Sequence, residues 1–176
     1  MFFTKKSIIS YMTFIMFMGT LCFPVFTYEA VLEYYRLRDY YSWLAKNPEY
    51  FPAIYSAHRK YGVSMDRICA IIQEESGGRQ YVVSHAGAIS LMQVMKFHNN
   101  GNREGLFDIH TNIDLGTKYY KWCLNYAKGN EREALRFYNA GPFSNRERYN
   151  GWPYVDRILA HTKKTKAMKN EYFIIK

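Results

Sequence analysis

A chain of 176 residues has room for one domain and little else. Its 48% apolar residues exclude a disordered or low-complexity polypeptide, and its 17 tyrosines suit either a tyrosine-rich core or a sugar-binding cleft. The net charge of +9 sits mostly at the two ends, in Lys5 and Lys6 and in Lys163, Lys164, Lys166, Lys169 and Lys176 against Glu171, so the body of the chain has no strong field for nucleic acid.

Ser7 to Tyr28 is an uncharged run rich in Ile, Met and Phe behind Lys5 and Lys6. A basic start before an apolar core fits a signal peptide, and about 20 apolar residues also suffice to span a bilayer. No clean small-x-small cleavage site follows, Val25-Phe26-Thr27 being the best of poor candidates, so residues 1–28 read as a signal anchor before a signal peptide. The lysines would hold the N-terminus in the cytoplasm and send the rest outward. Cys22, in Gly-Thr-Leu-Cys, makes a poor lipoprotein box, because the residue before the cysteine should be small.

Glu29 to Lys46 is expected to form a tyrosine-dense helix stopped by Asn47-Pro48, and a second helix runs from Pro48 to Tyr61 with Gly62 as its stop. Ser64 is the expected N-cap of the next helix, with Asp66 in its first turn. After a loop over 76–84, the apolar run from Ala86 to Val94 reads as a short helix. Phe97 to His110, with four Asn and Gly residues at its tip, reads as an ordered surface loop. Asn112 to Ala127 is apolar nearly all round and is expected to be buried. Asn130 caps a helix to Tyr138 that ends at Gly141-Pro142. The last helix starts near Pro153 and reaches at least His161, before a basic tail over 163–176. Domain organisation is thus 1–28, a catalytic-sized unit over 29–162, and the tail. Cys69 and Cys123 fall at apolar helical positions and read as buried free thiols, although an oxidising compartment permits their pairing.

The most informative stretch is Ile68 to Gln93. Ile68, Ile71, Ile72 and Glu75 recur at i, i+3, i+4 and i+7, which places them on one helix face, apolar until its last member. Glu74 lies about 100° off that stripe. Gly77 and Gly78 follow where a C-cap belongs. Glu75 is therefore expected to face inward at the end of a buried helix, where desolvation and the negative end of the helix dipole favour its protonated form. A carboxyl kept neutral near pH 7 is what a general acid requires.

Glu75-Ser76, Ser84, Gly87-Ala88 and Leu91-Met92-Gln93 together resemble the signature of the soluble-type lytic transglycosylases, glycoside hydrolase family 23. Two further blocks follow in order: Asn112-Ile113-Asp114-Leu115-Gly116, and Tyr138-Asn139-Ala140-Gly141-Pro142. The resemblance covers about residues 64–154. It implies an all-α, lysozyme-like domain of the α+β lysozyme superfamily, with a groove holding a glycan strand of peptidoglycan and no metal or cofactor. By resemblance Glu75 is the catalytic acid and then base, and Ser84, Met92, Gln93, Tyr138 and Asn139 belong to the substrate site. The reaction implied cleaves between N-acetylmuramic acid and N-acetylglucosamine and closes a 1,6-anhydro ring, in the periplasm or cell envelope. Anionic membrane surface or an envelope-spanning machine are the further partners this reading admits, and nucleic acid is not among them.

Each of these residues also has a plainer reading. Ser84 suits a turn cap, Met92 a core side chain, Tyr138 packing with its hydroxyl satisfied locally, and Asn139 a brace for the Gly141-Pro142 turn. Two positions depart from the family: Ser90 stands where glycine is usual, and Lys96 where proline commonly follows methionine. The five histidines have no metal-binding spacing, and no Gly-x-Ser-x-Gly elbow is present. Two rivals remain. Hydrolysis would need water activated by a second carboxylate, for which Asp108 and Asp114 are the candidates, and a wall-binding module would need no catalysis at all.

Overall fold

A computed structural model describes residues 28–44 and 47–175. The expected anchor over residues 7–28 therefore lies outside the described residues except for Tyr28. The chain divides into two units, Met1–Tyr35 and Arg36–Lys176. In the first, Tyr34 and Tyr35 meet edge to face at 5.7 Å. Six α-helices are described: α1 Tyr28–Leu44, α2 Phe51–Tyr61, α3 Met65–Ser76, α4 Ile109–Tyr126, α5 Glu131–Ala140 and α6 Trp152–Ile175. Among the described residues there is no strand, only isolated bridges pairing Val83 with Ile89 and Ile89 with Val94. None of these helices is long and apolar enough to cross a membrane.

The helix ends follow local chemistry. Asn47 accepts from Glu49 N and leads into a 3₁₀ turn, Pro48–Tyr50, that runs directly into α2. Ser64 Oγ accepts from Arg67 N at the start of α3, and Gly77 closes it in the left-handed conformation with φ 61°, where a Cβ would be strained. Asn130 caps α5 through Glu133 N, as its position predicts.

The core is built around α3. Ile68, Cys69, Ala70, Ile71 and Ile72 are all buried, and α3 packs against both α2 and α6. Burying each isoleucine contributes about 1.5–3 kcal/mol. α4 in turn packs on α2 and α5. Cys69 and Cys123 are buried free thiols. Asp66, in the first turn of α3, is buried as well. It accepts from Tyr41 of α1 at 2.9 Å and from Lys169 of α6 at 3.2 Å, which fastens both flanking helices to the start of the central one.

Two expectations are corrected and a third is extended. The run from Ala86 to Val94 is not a helix but a chain of tight turns, with Ser90 and Gln93 at positive φ. α4 starts three residues before Asn112, capped by Asp108 through Thr111 N, and is not buried all round: Trp122 and Tyr126 are about half exposed and stack at 5.2 Å on its outer face. The last helix continues through the basic stretch to Ile175, because Thr162 and Thr165 extend its buried stripe beyond Val155 and Ile158.

Candidate active site

Glu75 lies in the last turn of α3, half-buried, and its Oε1 accepts from the hydroxyl of Tyr154 on α6 at 2.5 Å. Its pKa is raised from 4.5 to about 7. Burial is the largest cause and the charge of Glu74 adds to it, while the Tyr154 hydrogen bond stabilises the carboxylate and pulls the other way. The expected inward-facing, proton-holding carboxyl is thus present. Glu74 lies off the stripe, as the helical period requires, but it is not a free surface group. It is only 13% exposed and paired with Arg157 of α6.

The loop that follows α3 is tied down by side chains of three motif residues. The hydroxyl of Ser76 lies 2.9 Å from Leu91 O and 3.1 Å from Ile72 O and accepts from Gly78 N, pinning the loop to the end of α3. Asn112, fully buried, accepts from Met92 N and donates to Ile89 O and Leu106 O, so a single amide binds three backbone groups around the turns. Ser84 Oγ accepts from Ala88 N, closing the turn over 84–88. Gly116 lets α4 approach this loop, since a Cβ there would stand 2.6 Å from Met92 Cβ.

Met92 is fully buried, and the sulfur lies 3.7 Å from the Thr117 hydroxyl. Its side chain packs inside the fold, in keeping with its plainer reading as a core residue. What Met92 gives the site is its carbonyl, which accepts from the Tyr138 hydroxyl at 2.7 Å. The Tyr138 phenol is held protonated by burial and by the nearby Glu75 charge. The phenol that contacts the acid is that of Tyr154, not Tyr138. Gln93 is half-buried, and its Nε2 donates to Ser90 O at 2.9 Å, across the left-handed turn. The Tyr149 hydroxyl lies 3.0 Å from Asn139 Oδ1 and 3.1 Å from Gly151 O, and Tyr149 feels the Glu75 charge.

Ser90 has φ 67° and is fully buried, and its hydroxyl has no partner. Serine here carries both the strain of a left-handed residue and an unsatisfied group, which is the physical reason that glycine suits the position. Of the two alternative carboxylates, Asp108 is the α4 cap, held below its usual range by Thr111, and Asp114 is paired with Lys60 at 2.8 Å and accepts from Tyr61. A cavity of about 360 Å³ between α2 and α4 is lined by Ser56, His110 and Asp114 and contains none of the residues around Glu75.

Sequence reasoning missed Tyr154, Arg157 and the stapling role of Asn112. Tyr154 sits with Val155 and Ile158 on the buried stripe of α6 and so reads as core.

Glu75 and Tyr154 thus meet at the end of a buried helix, and the loop that follows is stapled from the next long helix. Comparisons with known proteins place the chain in a family. The transglycosylase SLT domain family matches residues 52–152, and the chain belongs to that family. It is 40% identical over 103 residues to the membrane-bound lytic murein transglycosylase C of Salmonella typhi, covering 51% of this chain and 29% of that protein. It is 42% identical over 93 residues to the enzyme of the same name from Cronobacter sakazakii, covering 46% and 26%. The chain therefore spans less than a third of the length of these curated relatives. In three dimensions it resembles an inactive variant of the lytic transglycosylase Slt of Pseudomonas aeruginosa, with a TM-score of 0.60 and 22% identity over 68% of this chain and 24% of that one. The 70 kDa soluble lytic transglycosylase of Escherichia coli gives 0.55 at 22% identity, over 64% of this chain and 24% of that one.

Proposed function

We propose that this protein is a peptidoglycan lytic transglycosylase in which Glu75 acts first as acid and then as base. The observation that carries the reading is a half-buried carboxyl with a pKa near 7, held by Tyr154, whose neighbouring carboxylate is engaged by Arg157. Ordinary glycosidases divide acid and base or nucleophile between two carboxylates. Here Asp108 and Asp114 are engaged in a helix cap and an ion pair, which supports one group serving both steps.

In the first step the Glu75 proton passes to the glycosidic oxygen as the bond to the anomeric carbon of N-acetylmuramic acid breaks. The N-acetyl oxygen of the same sugar supports the developing positive charge. Glu75, now a carboxylate, takes the proton of the muramoyl 6-hydroxyl, whose oxygen closes on the anomeric carbon. One bond breaks and one forms, no water is consumed, and Glu75 ends protonated as it began. The Tyr154 hydroxyl fits this cycle because it stabilises the carboxylate at the midpoint and stays bound in both states. Tyr138, Gln93, Ser84 and Asn139 are the candidates for holding the glycan.

The names of the curated relatives support action on murein at a membrane. On this reading the protein acts in the cell envelope, with residues 7–28 as its tether. The test is digestion of purified sacculi by the full chain and by Glu75→Gln. Release of soluble fragments by the first and not the second supports the reading. Binding to sacculi without release by either supports a wall-binding module instead.

A further inference from the structure

The proposed reaction uses Glu75 and Tyr154 but gives no part to the ion pair beside them. Glu74 immediately precedes the acid on α3, and Arg157 lies one turn beyond Tyr154 on α6. The Arg157 guanidinium donates to Glu74 Oε1 from Nε at 2.8 Å and from Nη2 at 2.5 Å. Tyr154 donates to Glu75 Oε1 at 2.5 Å. Two consecutive residues of α3 are thus gripped by two residues one turn apart on α6, across an interface where the two helices pack directly.

We propose that the Glu74–Arg157 pair tunes Glu75 by charge: the Arg157 guanidinium, bound to Glu74, balances the anion that stands beside the acid, while the packing of α6 on α3 holds the Tyr154 hydroxyl against it. The proposal rests on the reading of Glu75 as the proton donor.

An ion pair whose arginine is more than half exposed contributes little to stability by itself. Its position gives this one a different effect. The negative charge of Glu74 favours the protonated form of Glu75. The other titratable groups facing Glu75 are the phenols of Tyr154 on α6, Tyr138 on α5 and Tyr149 between them, all held protonated by burial. Arg136, which acts on Tyr149, is itself bound to Glu133 and Ser144. The charge balance beside the acid therefore turns on Glu74 and Arg157.

The two halves of the pair act with opposite sign. Arg157→Met leaves an unbalanced anion next to Glu75 and moves its titration up. Glu74→Gln leaves an unbalanced cation and moves it down. The double variant is neutral, like the intact pair, and returns the titration to near the wild-type position. A pair that served only as a brace would behave otherwise: either variant would loosen the Tyr154 contact and raise the Glu75 pKa, so both would move the same way.

The experiment follows the Glu75 carboxyl carbon by NMR across pH in full-length protein carrying carbon-13 glutamate. The chains compared are wild type, the two single variants, the double variant and Arg157→Lys, with near-UV circular dichroism confirming the fold of each. The expected result is shifts of about half a pH unit in opposite directions for Arg157→Met and Glu74→Gln, cancellation in the double variant, and near-wild-type titration in Arg157→Lys. The shifts should shrink at high salt. Shifts of the same sign, or none, overturn the proposal. The readout is a titration and not turnover, so a chain that titrates as expected but releases nothing from sacculi contradicts the proposed reaction and not the pairing.

Discussion

Replacing Glu75 by Gln should abolish activity and at the same time make the protein more stable above neutral pH. The folded state holds the Glu75 proton up to a pKa of about 7, whereas the unfolded chain releases it near the ordinary 4.5. Between those two values the native state binds more protons than the unfolded one, so stability falls as pH rises through that window. A gap of about 2.5 units at 1.36 kcal/mol each sets an upper figure of roughly 3 kcal/mol, and partial exposure of the side chain reduces it to about 2–3 kcal/mol. Glutamine is neutral throughout, and its amide oxygen can still accept from Tyr154. Urea unfolding of both proteins should therefore give closely similar stabilities at pH 4. At pH 8 the variant should be ahead by about 2–3 kcal/mol, with the divergence falling between pH 4.5 and 7. A difference that does not change with pH, or a variant less stable than wild type at pH 8, would refute the claim that the fold holds this carboxyl against its ionisation.

Three further substitutions test neighbouring parts of the account. Tyr154→Phe removes a hydrogen bond to a charged group, worth about 1.5–3 kcal/mol, so the alkaline limb of the pH–rate profile should move up by about one unit while the maximal rate falls. Ser90→Gly removes both left-handed strain and an orphaned hydroxyl and should raise stability by about 1–2 kcal/mol in urea unfolding. Gly116→Ala should lower stability by about 1–3 kcal/mol through overpacking against Met92, offset only in part by better helix propensity, as read by the denaturation midpoint.

What could be read from the chain follows from how local each cause is. The ends and buried face of α3 were legible because Ser64, Gly77 and the Ile68, Ile71, Ile72 stripe act within the helix itself. The same period put Glu75 inward and Glu74 beside it. The stretch from Ala86 to Val94 was misread because a short apolar run has no period long enough to distinguish helix from buried turns. Its conformation is instead imposed by Asn112 and Ser76, which are 20 and 15 residues from the backbone groups they hold. Met92 belongs to the binding set only by resemblance, and the burial of its side chain depends on Gly116, 24 residues away, which lets α4 close over it. Tyr154 and Arg157 were invisible for a related reason. Each meets its carboxylate across about 80 residues of sequence, through the packing of α6 on α3, and neither stands out locally from an ordinary amphipathic helix.

The central question is whether one carboxyl performs both proton transfers without water. Mass analysis of the fragments released from sacculi by the full chain addresses this directly. The expected products end in 1,6-anhydromuramoyl groups, each lighter by one water than the corresponding reducing sugar, and none are formed by Glu75→Gln. Products ending predominantly in reducing N-acetylmuramic acid would contradict it, because they require a water activated by a second group that the site around Glu75 was not assigned.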